Sequence, residues 1–317
     1  MVDLRQFQAL CAVGEHGSGA RASRALGWSQ PTLDYHLRAL EALVGAPLAI
    51  RSSRGSTLTE AGAMLAERGA GILKSADRAV SDVRDFVRVG QFTLRLGVFP
   101  SAASSLLPHI VQHSEQFGFT VEVVLDEVGP LSEQLNQGTL DAALLYDMPD
   151  LPLAFGPEIT ARPVHTEKLE LAIGLSHRLA GTDTIDQETL LTLGQDTWII
   201  GLADGDPIDA VTLDTFARIG TELTGPVRTD DFSVIFGLIA ANIGIAVVPA
   251  ILPASMFAQV ARIPISDPAF TRTIYLAATR TLGVSAASGS GVSDQRNAAL
   301  RQLTRAVDEA VAATVAR

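Results

Sequence analysis

The chain has 317 residues, 47% of them hydrophobic, and its formal net charge at pH 7 is −11. This length exceeds that of a typical single core, so more than one domain is expected. The sequence contains no run of about 18 uncharged apolar residues, which argues against a membrane-spanning helix. The N-terminus lacks the apolar stretch of a secretion signal, and the single cysteine, Cys11, excludes an intrachain disulfide. We therefore expect a cytoplasmic protein without a membrane partner.

The negative charge is concentrated in the C-terminal two thirds of the chain. Residues 1–60 contain six arginines and five acidic residues, so this segment carries +1. Residues 61–90 also carry +1, and residues 91–317 carry −13. A near-neutral N-terminal unit is still able to bind DNA if its arginines lie on one side.

The N-terminal segment predicts three short helices. Asp3 and Gln6 have the spacing of a capping box, and apolar residues follow at helical period to about residue 14. Ser18 can cap a second helix, which ends at Gly27 because glycine adopts the left-handed conformation of a sharp turn. Ser29 then caps a third helix. Two helices joined by such a turn are typical of a helix-turn-helix unit.

The third helix has one apolar side and one polar side. Leu33, Leu37 and Leu40 repeat at helical spacing and predict a buried face. An ordinary amphipathic helix has the same pattern, but the preceding turn favours a recognition helix that enters the major groove. The residues predicted to contact DNA from this helix are Ser29, Gln30, Pro31, Thr32, Asp34, Tyr35, His36 and Arg38.

A β-hairpin is predicted from Pro47 to Leu58, because two short extended pieces surround a polar turn that contains glycine. Such a hairpin is the wing of a winged helix, and Arg51 and Arg54 on it are expected to contact DNA. The alternative is that Arg51 and Arg54 are ordinary surface arginines without a role in DNA binding. A long helix follows from Thr59 to about residue 88 and is expected to link and dimerise the chain. Its heptad seam consists of Gly69, Leu73, Ala76, Val80, Val83 and Val87.

Motifs throughout residues 1–65 point to one family. They are Leu4-Arg5-Gln6-Phe7, Gly17-Ser18, Ser29-Gln30-Pro31, Leu37-Arg38-Ala39-Leu40-Glu41, Gly45-Ala46-Pro47-Leu48 and Leu58-Thr59-Glu60-Ala61-Gly62. This segment resembles the N-terminal domain of the LysR-type transcriptional regulators. The resemblance implies binding of double-stranded promoter DNA by a homodimer, with a homotetramer as the alternative. Asp34, Tyr35 and His36 depart from the residues usual in the family, so the base preference is not implied.

From residue 91 short apolar runs alternate with helices, which predicts α/β units. The predicted strands cover residues 92–98, 120–125, 140–145, 170–175, 197–201, 225–228, 244–248 and 273–278. The last of these returns the chain to the first unit, and a final helix is expected over about 294–315. Two lobes with a cleft between them follow from this order.

The motifs of this second segment are Leu106-Leu107-Pro108, Gly138-Thr139-Leu140-Asp141, Glu167-Lys168-Leu169 with His177, and Asn242-Ile243-Gly244 with Pro249. The segment resembles the effector-binding domain of the same family, which is similar to type 2 periplasmic binding proteins with two Rossmann-like α/β lobes. The expected domains are a winged helix-turn-helix at 1–58, a linker helix at 59–90 and an effector-binding domain at 91–317. The expected lobes are lobe I, with residues 91–160 and 267–317, and lobe II, with residues 161–266.

By this resemblance a small polar metabolite binds between the lobes. The expected contacts are Pro100-Ser101-Ala102, Tyr146-Asp147, Gly201-Leu202-Ala203 and Asp231-Phe232-Ser233. Ser101 at a helix start offers N–H groups and a hydroxyl to a carboxylate, although Ser101 and Ser233 also fit the role of simple helix caps. The carboxylates predicted near the cleft favour an amine or a zwitterion instead, and they are Asp147, Asp204, Asp206 and Asp231.

The sequence has no motif for catalysis or for a cofactor. No Gly-x-Gly-x-x-Gly or Walker loop follows a strand, and no Gly-x-Ser-x-Gly elbow occurs. His109 and His113 share a helix face and form only half of a metal site. We therefore expect neither a cofactor nor enzyme activity. The alternative function is a solute-binding or catalytic α/β protein whose N-terminal helices serve dimerisation only.

Overall fold

A computed structural model describes residues 2–52, 55–89, 93–116, 119–202, 205–223, 227–279 and 291–315. The chain divides into two compact units, residues 1–90 with 137–139, and residues 91–136 with 140–317. The fold class is the predicted one, with a winged helix-turn-helix, a long helix and an α/β domain of two lobes. Over the described ranges, each helix is either too short or too polar to cross a membrane.

The N-terminal unit consists of helices and one β-hairpin. Its elements are α1 (Leu4–His16), α2 (Gly19–Ala25), α3 (Gln30–Val44), β1 (Ala49–Ser52), β2 (Gly55–Leu58) and α4 (Glu60–Val89). The predicted capping box at the start of α1 is present, since the Asp3 carboxylate accepts a hydrogen bond from the Arg5 N–H and the Asp3 N–H donates to the Gln6 side chain. Apolar residues of α1, α3 and the hairpin form the core, including Phe7 and Leu40.

Helix α4 begins very close to the hairpin. Thr59 caps it, because its hydroxyl accepts a hydrogen bond from the Gly62 N–H at 3.0 Å. A Cβ atom at Gly62 would overlap the carbonyl oxygen of Leu48 and would lie 2.8 Å from the carbonyl carbon. The first turn of α4 can therefore reach this position only with glycine at residue 62.

The effector-binding domain alternates strands and helices. Its elements are β3 (Thr93–Val98), α5 (Pro100–Gln116), β4 (Thr120–Leu125), α6 (Val128–Asn136), β5 (Ala142–Asp147), β6 (Ile159–Gly174), α7 (Gln187–Leu191), α8 (Pro207–Ala217), α9 (Phe232–Ala240), β7 (Ala246–Pro249), β8 (Val260–Pro264), β9 (Thr271–Thr279) and α10 (Gly291–Val315). The strand order is β4-β3-β5-β9-β6-β7, with β8 also paired to β6. Strand β3 is parallel to β4 and β5, whereas β9 is antiparallel to β5 and β6. The predicted return of β9 to the first lobe is thus observed.

Strand β6 runs through both lobes without interruption. Its residues 159–168 pair with β9 of lobe I, and its residues 169–174 pair with β7 and β8 of lobe II. By strand pairing, the chain crosses between the lobes near residue 168, so the boundary predicted between residues 160 and 161 is eight residues too early. The apolar pattern does not mark the crossing, because the strand continues and only its partners change.

The described residues of two strands predicted for lobe II, at 197–201 and 225–228, form isolated bridges. Trp198 pairs only with Ile245, and Ile200 pairs only with Arg228, while residues 224–226 lie outside the described part of the chain. The apolar run around Trp198 is buried, which gives it the composition of a strand without a regular ladder. Helices α7 and α8 were not expected from the sequence, although Asp206 followed by proline is a typical helix start.

We predict that Gly62→Ala lowers the free energy of unfolding of the N-terminal unit by about 1–3 kcal/mol, because the added methyl group overlaps backbone. Gly237→Ala is the matched control. Gly237 also lies within a helix, α9, but a Cβ there would meet no atom within 4 Å. This change should raise the stability of its own unit by about 0.5–1 kcal/mol. Calorimetric unfolding measures both, and a Gly62→Ala variant as stable as the wild type would contradict the close approach.

Candidate functional site

A tight turn between α2 and α3 sets the direction of α3, the helix predicted to recognise DNA. Gly27 has φ +66°, and its N–H donates to the Arg24 carbonyl at 3.1 Å. The N–H of Trp28 donates to the Ser23 carbonyl at 2.8 Å. These two bonds form a Schellman motif, which closes the end of α2 and reverses the chain within three residues.

The first turn of α3 is capped and accessible. The Ser29 hydroxyl accepts a hydrogen bond from the Thr32 N–H at 3.3 Å and lies 2.8 Å from the Thr32 hydroxyl. Asp34 is half-buried, and Tyr35 is 70% exposed. The other predicted contacts on this helix that are exposed are Ser29, Gln30, Pro31, Thr32 and Arg38.

His36 does not belong to this exposed side, so its prediction as a DNA-contacting residue is corrected. Only 8% of the residue is exposed. Its ring centroid lies 5.2 Å from that of Trp28 and 5.3 Å from that of Tyr35. Position 36 follows Leu33 by three residues and precedes Leu40 by four, which places it on the apolar face. His36 therefore supports the exposed Tyr35 ring from behind.

The wing is attached to the end of α1. The Ser56 N–H donates to the Gly17 carbonyl at 2.9 Å. Gly55 has φ +137°, and a Cβ on it would overlap the same carbonyl oxygen. Arg51 lies on β1 in register with Ser56, whereas Arg54 lies outside the described residues. The hairpin is thus held in place at its base.

The predicted seam of α4 divides into two parts. Its first part packs within the N-terminal unit, since a Cβ at Gly69 would lie 2.7 Å from the Phe7 ring and Leu73 packs against the core. Its second part is exposed, and the exposed fractions are 51% for Val80, 63% for Val83 and 78% for Val87. An apolar stripe of this kind is suited to a second helix.

In the effector-binding domain, Arg272 lies at the junction of the two lobes and is 1% exposed. It stands directly opposite Glu167 in the pairing of β9 with β6. Its Nε donates to Glu167 Oε1 at 2.7 Å, and its Nη2 donates to the Ser101 hydroxyl at 3.1 Å. The guanidinium carbon lies 4.7 Å from the centroid of the Tyr146 ring. The Glu167 carboxylate therefore already neutralises the positive charge of Arg272.

A cavity lies in the cleft between the lobes, and Arg272 is part of its wall. Four acidic residues line the same cavity: Glu127, Asp206, Asp209 and Asp230. Aromatic rings and aliphatic side chains complete the wall, among them Phe99, Tyr146, Phe232 and Ile235. The cleft thus has acidic and aromatic surfaces and one neutralised cation.

Local hydrogen bonds hold the carboxylates in the cleft. Asp206 caps α8, its Oδ1 accepting from the Ile208 N–H at 2.9 Å, and its Oδ2 accepts from the Tyr146 hydroxyl at 2.7 Å. Asp209 accepts from the Gly201 N–H at 2.7 Å. Asp230 accepts from the Leu202 N–H at 2.8 Å.

Burial and neighbouring negative charges raise the pKa values of two of these acids, Glu127 and Asp209. Burial, reinforced by the charge of Asp206, raises the pKa of Glu127 to about 7. The same two causes raise the pKa of Asp209 to about 6. Burial and the neighbouring Asp206 also hold the pKa of the Tyr146 hydroxyl well above its ordinary value. The cleft therefore retains protons near neutral pH and loses them as the pH rises.

Two family descriptions match the chain. "Bacterial regulatory helix-turn-helix protein, lysR family" matches residues 4–63, and "LysR substrate binding domain" matches residues 89–288. The chain belongs to the LysR family of transcriptional regulators. The resemblance predicted from the sequence is thereby confirmed.

Relatives of this LysR-type regulator span most of its length. The "Probable hydrogen peroxide-inducible genes activator" of Mycobacterium avium is 30% identical over 77% of this chain and 76% of that protein. The "Hydrogen peroxide-inducible genes activator" of Haemophilus influenzae is 28% identical over 87% of this chain and 90% of that protein. The structure of full-length CbnR complexed with its target DNA has 20% identity and a TM-score of 0.59, covering 97% of this chain and 99% of CbnR. This last likeness shows the shared fold.

The cavity of the LysR-type regulator contains part of the predicted effector set. Its wall includes Pro100, Ser101, Tyr146, Gly201 and Phe232. It does not include Ala102, Asp147, Leu202, Asp231 or Ser233, and Ala203 lies outside the described residues.

The predicted residues that do not line the cavity are buried in the core, exposed to solvent, or hydrogen-bonded to nearby backbone. Ala102 is fully buried, and Leu202 is 65% exposed. Asp231 accepts from the Ser233 N–H at 2.8 Å, which makes it the cap of α9. Asp147 accepts from the Leu153 N–H at 3.4 Å.

Several wall residues were missed by the sequence pattern, including Glu127, Asp209, Asp230 and Arg272. Asp209 follows the predicted segment 201–203 by six residues, and Asp230 directly precedes the predicted segment 231–233. Their acidic character was the available signal. Arg272 is one residue of an ordinary strand, so no local signal identifies it. Its role depends on the pairing of β9 with β6.

We predict that the stability of the effector-binding domain falls as the pH rises from about 5 to about 8. Glu127 and Asp209 have raised pKa values in the folded domain, about 7 and about 6, so folding retains protons that the unfolded chain releases. The stabilisation is present at acid pH, below the unfolded pKa values, and is lost as the pH passes 6 and 7. The Tm of the domain across this range measures the effect.

Glu127→Gln should flatten this pH dependence, because the amide does not titrate. Asp150→Asn is the control, since Asp150 is exposed in the turn after β5, and it should leave the profile unchanged. A Glu127→Gln profile parallel to that of the wild type would count against the raised pKa.

Proposed function

We propose that this LysR-type regulator binds double-stranded promoter DNA as a homodimer. We further propose that a small polar molecule carrying an amino group binds in the inter-lobe cleft and alters that DNA binding by changing lobe closure. The observation that carries the first part is the capped, exposed first turn of α3 within a domain that matches the lysR helix-turn-helix family. The proposal includes a cytoplasmic location and no enzyme activity.

The polar side of α3 supports the DNA-binding role. Gln30 and Thr32 are exposed in the first turn, where a recognition helix meets base edges. Arg38 is exposed one turn further along and carries the charge that binds phosphate or guanine. Tyr35, which is 70% exposed, presents a large aromatic surface on the same side.

The exposed valines of α4 support dimerisation. Val80, Val83 and Val87 follow each other at spacings of three and four residues and remain exposed in the single chain. Pairing with the same surface of a second copy would bury them, and a two-fold arrangement places two recognition helices on one face of DNA. A homotetramer is the alternative assembly.

We predict that Arg38→Ala weakens binding to DNA from the region upstream of the gene about tenfold, because one charged contact is lost. Gln30→Ala should weaken binding as well and change the sequence preference. Arg305→Ala is the matched control, because it removes an equally exposed arginine from α10 of the other unit. Fluorescence anisotropy at several salt concentrations measures the affinity, which should fall steeply with salt.

Equal affinities of the Arg38→Ala and wild-type proteins would contradict the assignment of α3. No complex with any DNA at low salt would favour the alternative, a solute-binding or catalytic α/β protein that uses its N-terminal helices only for dimerisation.

The composition of the cleft supports an amine as the effector. Glu127 of lobe I and three aspartates of lobe II line the same cavity, so their charges repel each other when it is empty. A cationic amino group would neutralise part of this negative charge. Arg272 of the wall is held by Glu167, which reduces its attraction for a carboxylate.

Peroxide sensing, which the names of two relatives suggest, has little chemical support in this chain. Thiols are the side chains that peroxide oxidises most readily, and Cys11 is the sole cysteine. It lies in α1, with its Sγ 3.4 Å from the Ala66 carbonyl oxygen. Burial raises the pKa of the Cys11 thiol, which lowers its reactivity.

We predict that amines and amino acids bind the full-length protein, whereas carboxylates without an amino group do not. Affinity for the amines should be higher at about pH 8 than at about pH 6, because Glu127 and Asp209 lose their protons in that range. Isothermal titration with such a panel measures both effects. Asp230→Asn should weaken the binding about tenfold.

Asp231→Asn is the matched control for Asp230→Asn. The Asp231 side chain caps α9 outside the cavity, and asparagine caps helices equally well. Heat from carboxylates alone, or from no member of the panel, would contradict an amine effector.

A further inference from the structure

Pro31, Tyr35 and Arg38 form an exposed stripe along α3. They follow one another at spacings of four and three residues and all three are exposed, so they share one face of the helix. The buried face has the same spacing and consists of Leu33, Leu37 and Leu40. Each leucine follows a residue of the stripe by two positions, and two residues of an α-helix turn by about 200°. The stripe therefore lies opposite the core, on the side of α3 that a bound DNA would meet.

Tyr35 contributes to this stripe an aromatic ring that is supported by the rest of the unit. The residue is 70% exposed. Its ring meets the His36 ring edge to face, with centroids 5.3 Å apart and planes at 74°. The His36 ring packs in turn against the Trp28 ring, at 5.2 Å between centroids, and the Trp28 N–H donates to the Ser23 carbonyl. A supported ring with two rotatable bonds loses little conformational entropy when it binds.

An aromatic ring distinguishes bases by apolar contact. The base edges in the major groove present hydrogen-bond donors and acceptors, and the 5-methyl group of thymine is their one large apolar group. The hydroxyl is the only hydrogen-bonding group of the Tyr35 side chain, so most of its exposed surface is apolar. This surface is suited to the thymine methyl group, whereas Arg38 of the same stripe supplies a charge for phosphate or guanine.

We propose that Tyr35 is a specificity-determining residue and that its ring contacts the 5-methyl group of a thymine in each half-site. The inference rests on the DNA-binding function proposed for α3 and assigns a base preference to one position of the exposed stripe. The half-site accordingly contains a thymine whose replacement by uracil, which lacks only this methyl group, weakens the complex.

Selection of binding sites from a random double-stranded DNA library by the full-length protein identifies the half-site. We expect one position at which the wild type selects thymine and Tyr35→Ala selects no base, while the other positions stay the same. Leu43→Ala is the matched control, because Leu43 is an apolar residue of the same helix that is 53% exposed but lies off the stripe. This control should select the wild-type sequence.

Replacement of that thymine by uracil measures the methyl contact. Fluorescence anisotropy should show a Kd about fourfold higher for the uracil duplex with the wild type, the effect of one buried methyl group. The two duplexes should have equal Kd values with Tyr35→Ala. Tyr35→Phe should keep the fourfold difference, because it keeps the ring. The salt dependence of binding should be the same for Tyr35→Ala and the wild type, because no charged contact is removed.

Each failure has its own signature. Equal Kd values of the two duplexes with the wild type, or a fourfold difference that persists in Tyr35→Ala, would overturn this inference and leave the DNA-binding function intact. Loss of the difference in Tyr35→Phe would overturn the ring contact and assign the recognition to the hydroxyl group. A library from which the wild type enriches no sequence would contradict the DNA-binding function itself, and this inference with it.

Discussion

The buried ion pair between Arg272 and Glu167 holds together the surface of lobe I that faces the cleft. The two residues face each other across β9 and β6, one residue before β6 leaves the sheet of lobe I. Arg272 also donates to Ser101 at the start of α5 and packs against the Tyr146 ring. Removal of one partner would leave a buried charge without compensation, which typically costs about 3–5 kcal/mol. The lobe I side of the cleft wall therefore depends on this pair, which lies beside the point where the chain crosses to lobe II.

The DNA-binding unit was predictable because its signals are local. The Asp3 cap, the left-handed Gly27 and the Ser29 cap each involve residues within one helical turn, so their sequence spacing already determines the geometry. His36 was misjudged for a related reason. Its polar character suggested an exposed position, whereas its spacing from Leu33 and Leu40 placed it on the apolar face. Where residue type and periodicity disagreed, periodicity was correct.

The cleft was predictable only in outline because its residues come from distant segments. Glu127 precedes α6, whereas Asp206 and Asp230 lie before α8 and α9. Strand pairing and lobe packing bring them together, and neither leaves a pattern in the sequence. Asp147 and Asp231 illustrate the limit, since they lie in the expected segments but their side chains bond to nearby backbone N–H groups instead.

The continuity of β6 restricts how this domain can change in length. Its first part pairs with β9, with one register shift between Pro163 and His165, and its second part pairs with β7 and β8. Because side chains alternate between the faces of a strand, one inserted residue at the crossing would reverse the facing of every following side chain. Leu169 and Leu171, which are fully buried, would then turn away from their core. The two lobes thus look like separable modules, but a change of length at the crossing would shift the register of lobe II relative to lobe I.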